Sequence, residues 1–134
     1  MDTWETPQYL FDELNEEFKF VLDVCADPNN AKCSKYYTKA DDALLQDWDG
    51  TCWCNPPYGR QTAEWIHKAY NESQRGATVV CLVPNRTETD WWHDYALKGE
   101  IRFIRGRVHF VGGGRPRFGS VIIVFRPNME LGGE

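Results

Sequence analysis

Apolar positions along this chain recur with two different periods, and the changes of period mark its elements. Leu10, Phe11, Leu14 and Phe18 follow helical spacing, so residues 7–17 read as an amphipathic helix with Thr6 as N-cap and Pro7 at the first helical position. Residues 18–25 (Phe-Lys-Phe-Val-Leu-Asp-Val-Cys) read as a buried strand. Residues 31–40 suggest a short second strand with irregular flanks. The small and apolar residues 51–54 form a strand that stops at Pro56-Pro57, because proline has no N–H and a fixed φ. Ala63, Ile66, Ala69 and Tyr70 then share one face of a helix over 62–73, which ends at Arg75-Gly76. Residues 77–83 are the clearest buried parallel strand. Thr87 or Thr89 caps a helix over 90–97. Ile101, Phe103, Gly106 or Val108, and Phe110 alternate with Arg102, Arg105, Arg107 and His109, which predicts a strand over 100–111. Residues 112–119 form a flexible basic loop, and the apolar strand 120–125 closes an antiparallel hairpin. Residues 128–134 read as a disordered tail.

Strands that alternate with helices in this way predict an open α/β sheet, with residues 1–127 as a single domain. The hydrophobic share of 42% and the aromatic share of 14% suit a globular core. No apolar run is long enough to span a membrane, and the polar, acidic start is unlike a signal peptide, so a cytoplasmic location is expected. Five cysteines argue against a disulfide framework, and neither their spacing nor that of the three histidines suits zinc. Buried reduced thiols and no metal are the expectation. A net charge of −5 looks wrong for a nucleic-acid binder until its distribution is read. Residues 1–50 carry a balance of −8, whereas residues 101–127 hold six arginines and no acid.

The candidate chemistry centres on Asn55-Pro56-Pro57-Tyr58. A strand, a stiff polar loop and a helix make up the ligand-binding edge of an open α/β sheet. Such a loop suits transfer to an amine on a planar ring. The lone pair of that nitrogen is delocalised into the ring, so a catalyst gains by accepting hydrogen bonds from both amine hydrogens. The Asn55 side-chain oxygen and the Pro56 carbonyl are candidate acceptors, and Tyr58 a candidate stacking partner. The two prolines keep the acceptors from relaxing. A stiffened turn with a capping Asn and a core Tyr is the plain alternative.

Asp23 falls near the C-terminal end of the first strand, where an acid faces the ligand crevice and could meet an ammonium group. The small residues Cys25 and Ala26 would let a ligand approach the backbone, although a glycine-rich turn is absent. Asp47 is either an acceptor for a cofactor's adenine or a solvated turn acid. Arg102, Arg105, Arg107, Arg115 and Arg117 form the candidate nucleic-acid-contacting surface, against the alternative of a solvated face that balances the acidic half.

Taken together, Trp4-x-Thr6-Pro7, Phe20-x-Leu22-Asp23-Val24-Cys25-Ala26, Asp47-Trp48, Trp53-x-Asn55-Pro56-Pro57-Tyr58-Gly59, Leu82-Val83-Pro84, Gly106-Arg107 and residues 121–125 resemble the small phage-type DNA N-6-adenine methyltransferases. The likeness extends to about residue 127. It implies a reduced, Rossmann-like methyltransferase fold that uses S-adenosylmethionine (AdoMet): a mostly parallel sheet, helices on both faces and an antiparallel C-terminal hairpin. It implies that Thr6, Pro7, Asp23, Val24, Cys25 and Ala26 bind AdoMet near its methionine end and that residues 55–58 hold the target adenine of DNA; Trp4 and Asp47 are further candidate cofactor contacts. The chain lacks the glycine-rich loop and the recognition insert of larger DNA methyltransferases. The same loop suits cytosine N4, a guanine amine in RNA or a protein glutamine amide, and a non-catalytic AdoMet- or DNA-binding module is the reading from another class.

Overall fold

The computed structural model describes residues 5–112 and 116–127. Within them, five strands form one sheet: β1 (Leu22–Asp23), β2 (Thr51–Cys54), β3 (Thr78–Pro84), β4 (Glu100–Phe103) and β5 (Ser120–Phe125). Their spatial order is β1-β2-β3-β5-β4. β1, β2 and β3 are mutually parallel, and β5 is antiparallel to both β3 and β4. β4 therefore runs in the direction of the first three strands. All four deliver their C-terminal residues to the same edge of the sheet.

Three helices pack on this sheet: α1 (Gln8–Phe18), α2 (Thr62–Gln74) and α3 (Asp90–Asp94). Successive strand residues point to opposite faces, and the core divides accordingly. Val79, Cys81, Val83, Ile123 and Phe125 join Trp65, Ile66 and Ala69 of α2 and Trp91 and Trp92 of α3. Val80, Leu82, Ile122 and Val124 join Leu10, Phe11 and Leu14 of α1. Because β3 and β5 are covered on both faces, their sequences are continuous apolar runs rather than alternations. No helix among the described residues is long and apolar enough to cross a membrane.

Several predicted elements are shortened, each for a local reason. α1 starts at Gln8 with Pro7 in the N-cap position, and Pro7 has no side-chain acceptor to cap it. Thr6 is therefore not the cap. At the other end, Lys19 adopts the left-handed conformation (φ 58°), and the Asn15 side chain accepts the Phe20 N–H at 2.8 Å. This turn keeps Phe18 and Phe20 out of the sheet, so only Leu22–Asp23 of the predicted 18–25 strand is regular. The two phenylalanines instead stack on each other, and Phe20 also meets Phe11 and Trp53. Of residues 31–40 only Tyr36 bridges to the sheet, beside Asp23. α3 stops at Asp94 and is followed by a 3-10 turn, Ala96–Lys98. Thr89 is its cap, accepting the Trp92 N–H at 3.3 Å. The predicted 100–111 strand leaves the sheet after Phe103, and Gly106 turns the chain at φ 75°. Val108 and Phe110 remain buried, but against the α1 side of the core.

One buried acid ties the helical layer to the sheet. Glu72 of α2 is 4% exposed and accepts the backbone N–H of Trp48 at 2.8 Å. Its other oxygen pairs with Lys68 at 3.2 Å. Trp48 in turn donates its indole N–H to the Ala43 carbonyl at 2.9 Å. This chain of bonds sets the path of the loop that enters β2. Glu72→Ala leaves a buried N–H without an acceptor and should cost about 2 to 3 kcal/mol in urea unfolding. Glu72→Gln, which keeps an acceptor oxygen, should cost less.

Candidate active site

The loop Asn55–Tyr58 leaves β2 at the common carboxyl edge of the sheet. Asn55 and Pro56 are buried there. Among the described residues, Thr62 and Ser120 help to hold the loop. The Thr62 hydroxyl, 1% exposed at the start of α2, donates to the Pro57 carbonyl at 2.9 Å and accepts the Gly59 N–H at 3.0 Å. Gly59 sits at φ 128°, a conformation that L side chains rarely adopt. The Tyr58 hydroxyl meets Ser120 Oγ at 3.2 Å, on the first residue of β5. Phe110 packs edge-on against the Tyr58 ring with centroids 5.6 Å apart, and Phe118 lies tilted at 5.7 Å. Burial raises the Tyr58 pKa, so the phenol stays protonated at neutral pH. The sequence reading missed Thr62 and Ser120. A threonine at a helix start, where hydroxyls bond to nearby backbone, was the available signal for the first.

Next to this loop lies a small polar cavity of about 10 Å³, walled by Asp23, Asn55, Thr6 and Trp53 together with Glu5 and Lys32 at its rim. Asp23 is 2% exposed. Its two oxygens accept the backbone N–H groups of Lys32 at 2.9 Å and Cys25 at 3.2 Å. Burial raises its pKa to about 6, against the opposing effect of these hydrogen bonds. The Thr6 hydroxyl is buried with no hydrogen-bond partner among the described residues. Lys32 closes the rim by pairing with Glu5 at 3.3 Å and with the Gln8 side chain at 3.0 Å.

Cys25 and Asn30 border both this cavity and a second, larger cleft of about 740 Å³. The cleft runs between α2 and residues 37–44, with Val24, Ala26, Tyr37, Leu44, Pro57 and Trp65 among its walls. Asp27, Asp42 and Glu64 add acidic groups to it. Burial pushes the Cys25 thiol up to about 12, leaving it a neutral wall. The Trp65 indole N–H is buried without a partner among the described residues. The size falls within the range of small-molecule sites.

The fold thus brings Thr6, Asp23, Val24, Cys25, Ala26, Asn55 and Pro57 to two adjoining cavities, whereas the Tyr58 ring packs against Phe110 and Phe118. The fold does not bring Asp47 to the cavities. Asp47 is exposed, pairs with exposed Arg75 at 3.4 Å, and offers its carbonyl to the Tyr37 hydroxyl at 2.8 Å. Among the arginines, Arg102 is committed elsewhere. It forks onto Glu17 at 2.7 and 2.8 Å, donates to Glu100 at 2.6 Å, and lies over the Phe18 ring. It fastens β4 to α1. Arg105, Arg107 and Arg117 are exposed. Trp4, Arg115 and the 128–134 tail lie outside the described residues. No group of three or more metal-binding side chains occurs among the described residues, and all five cysteines are free.

Residues 1–128 match the family described as DNA N-6-adenine-methyltransferase (Dam). The chain is similar to a DNA N-6-adenine-methyltransferase of Haemophilus phage HP1 (strain HP1c1), with 31% identity over 116 residues covering 82% of this chain and 66% of that protein. It is also similar to a DNA N-6-adenine-methyltransferase of Escherichia phage T1, with 26% identity across 96% of this chain and 64% of the phage protein. The chain spans just under two thirds of the length of each.

Asp23 has a signature in the pH dependence of stability. Its folded pKa of about 6 lies above the ordinary carboxyl value of 3.8, so the folded state binds more protons between those values. Its contribution should fall as pH rises from about 4 to 6 and level off above, by an amount on the order of 3 kcal/mol. Urea unfolding across this range should show the decline in the wild type, and the difference between wild type and Asp23→Asn should isolate it.

Proposed function

The chain belongs to the DNA N-6-adenine-methyltransferase (Dam) family, and from that membership we propose that it transfers a methyl group from AdoMet to N6 of adenine in DNA. The sheet and its helices are then a reduced Rossmann-like methyltransferase domain, with β4 and β5 as its antiparallel close. The observation that carries the reading is the adjacency of the two cavities: Cys25 and Asn30 border both, and Asn55 and Asp23 wall the smaller one. One AdoMet can lie across the two, and Asn55, at the wall of the smaller cavity, begins the loop that would hold the target amine beside it. Free thiols throughout fit a cytoplasmic setting.

The residues present suit AdoMet. The buried Thr6 hydroxyl, without a partner among the described residues, and the Asp23 carboxylate fit a charged amino-acid end, and the larger cleft accommodates a nucleoside. When bound, AdoMet supplies a methyl group on a positively charged sulfonium. Asp23 would hold the ammonium, with Val24, Cys25 and Ala26 as the neutral wall beside it. The target adenine must leave the base stack to reach the loop. Asn55 Oδ1 and the Pro56 carbonyl accept hydrogen bonds from its amine. As positive charge develops on that nitrogen, both acceptors bind it more strongly, which is transition-state rather than ground-state stabilisation. Tyr58, fixed by Ser120, Phe110 and Phe118, offers a preset plane for the base. Arg105, Arg107 and Arg117 at the same edge would hold DNA phosphates, with Arg115 next to them in sequence.

The deciding experiment is transfer of a labelled methyl group from AdoMet to unmethylated DNA, followed by digestion to nucleosides. Label in N6-methyladenosine is the expected result. Label in methylcytosine, or transfer only to RNA or protein, would replace this reading. Asn55→Ala should lower kcat by about 10²- to 10³-fold with AdoMet affinity nearly unchanged, in single-turnover and calorimetric measurements respectively. AdoMet affinity should fall as pH drops below about 6, where Asp23 takes up a proton, and Asp23→Asn should abolish that dependence. Arg105→Ala with Arg107→Ala should weaken DNA binding and flatten its salt dependence by about 0.9 for each phosphate the variant no longer neutralises.

A further inference from the structure

We infer that Phe103 contacts DNA, stacking on a base that flanks the target adenine; this rests on the DNA-directed reading above. Six large apolar side chains are conspicuously exposed among the described residues, and two of them are aromatic. Tyr9 lies on α1, whereas Phe103, 75% exposed, is the last residue of β4. Scattered surface apolar groups need no explanation. The position of this one does.

β4 runs parallel to β2, so Phe103 emerges at the edge where the Asn55–Tyr58 loop begins. Its register partner is Val121 of β5, next to Ser120, which holds the Tyr58 hydroxyl at 3.2 Å. Three strand spacings separate β2 from β4, roughly 14 Å across the sheet. At a rise of about 3.4 Å per base, that is about four steps along a DNA strand. The ring therefore meets flanking DNA rather than the gap left by the target base.

The chemistry around the ring agrees. Exposed Arg105 and Arg107 follow it closely in the chain, after Ile104. A π-face beside cations that bind phosphates is the combination that grips nucleic acid without reading its sequence. The support is also rigid. The preceding residue, Arg102, is locked onto Glu17 and Glu100, which fastens the strand that presents the ring to α1. An acidic protein surface would also use both groups; the position at the sheet edge that carries the Asn55–Tyr58 loop is what favours DNA.

Fluorescence anisotropy of a short labelled single strand, whose base faces are open to stacking, titrated at several salt concentrations, tests this with Phe103→Ala, Phe103→Leu and Phe103→Trp. Stacking on one base is worth about 5- to 150-fold in affinity. Ala and Leu should each lower affinity by such a factor, equal at every salt concentration, and Trp should retain it. Thermal midpoints should stay within a few degrees, since an exposed ring contributes little to folding. The leucine variant keeps bulk and apolarity, so it separates stacking from a simple loss of volume. Unchanged affinity of the Ala and Leu variants, with the wild type binding DNA normally, would overturn the proposal and leave the methyltransferase reading intact. A weakening confined to low salt would overturn it too, as would a sedimentation result in which Phe103→Ala abolishes self-association without touching DNA affinity. Failure of the wild type both to bind DNA and to methylate it would instead take down the reading beneath.

Discussion

The rest of the site depends on one constraint: β2 cannot continue past Asn55. Pro56 and Pro57 donate no backbone hydrogen bond and have little freedom in φ, so the chain must leave the sheet at its carboxyl edge. A stiff loop is useful only if its surroundings fix it, and here nearby Thr62 and distant Ser120 both contribute. Thr62 ties the Pro57 carbonyl and the Gly59 amide to the start of α2. Ser120 ties the Tyr58 hydroxyl to β5. The loop is thereby referenced to both sides of the sheet, and its side chains are set before any ligand arrives. Under the proposed methyl transfer, that would save reorganisation at the moment of reaction, the main source of catalytic advantage for groups that act only through hydrogen bonds and position.

Electrostatics divides the molecule in a way that serves the same edge. The acidic N-terminal half supplies Asp23 and the acids of the large cleft, an environment suited to a cation. Asp23 remains buried because backbone N–H groups from Lys32 and Cys25 satisfy its oxygens, and its raised pKa records how incomplete that compensation is. The basic C-terminal segment is not uniform. Arg102 is consumed by Glu17 and Glu100, and Arg126 also pairs with Glu100. These two guanidiniums flank the Phe18 ring and hold β4 against α1. Arg105, Arg107 and Arg117 are left exposed beyond that anchor. A count of arginines along the chain does not separate the anchor from the exposed surface.

Periodicity and proline chemistry alone determined much of the architecture. The helix at residues 8–18, the buried strands around 51–54, 78–84 and 120–125, and the loop at 55–58 were legible because local rules govern them. Side-chain alternation and the 3.6-residue repeat are properties of the backbone, and two prolines end a strand in any context. What tertiary structure decided is where local preference is weak or partners are far apart in sequence. Residues 104–111 keep an alternating pattern, yet leave the sheet, because Gly106 turns them and α1 offers Val108 and Phe110 a better place to bury. Thr6 reads as a helix cap, but Pro7 takes that position and leaves the Thr6 hydroxyl at the polar cavity. Asp47 and Arg102 looked like members of a site until Arg75, 28 residues away, and Glu17, 85 residues away, became their neighbours. The support of Tyr58 by Ser120 spans 62 residues and leaves no local trace. Such contacts are made by the packing of the sheet, and only the folded chain contains them.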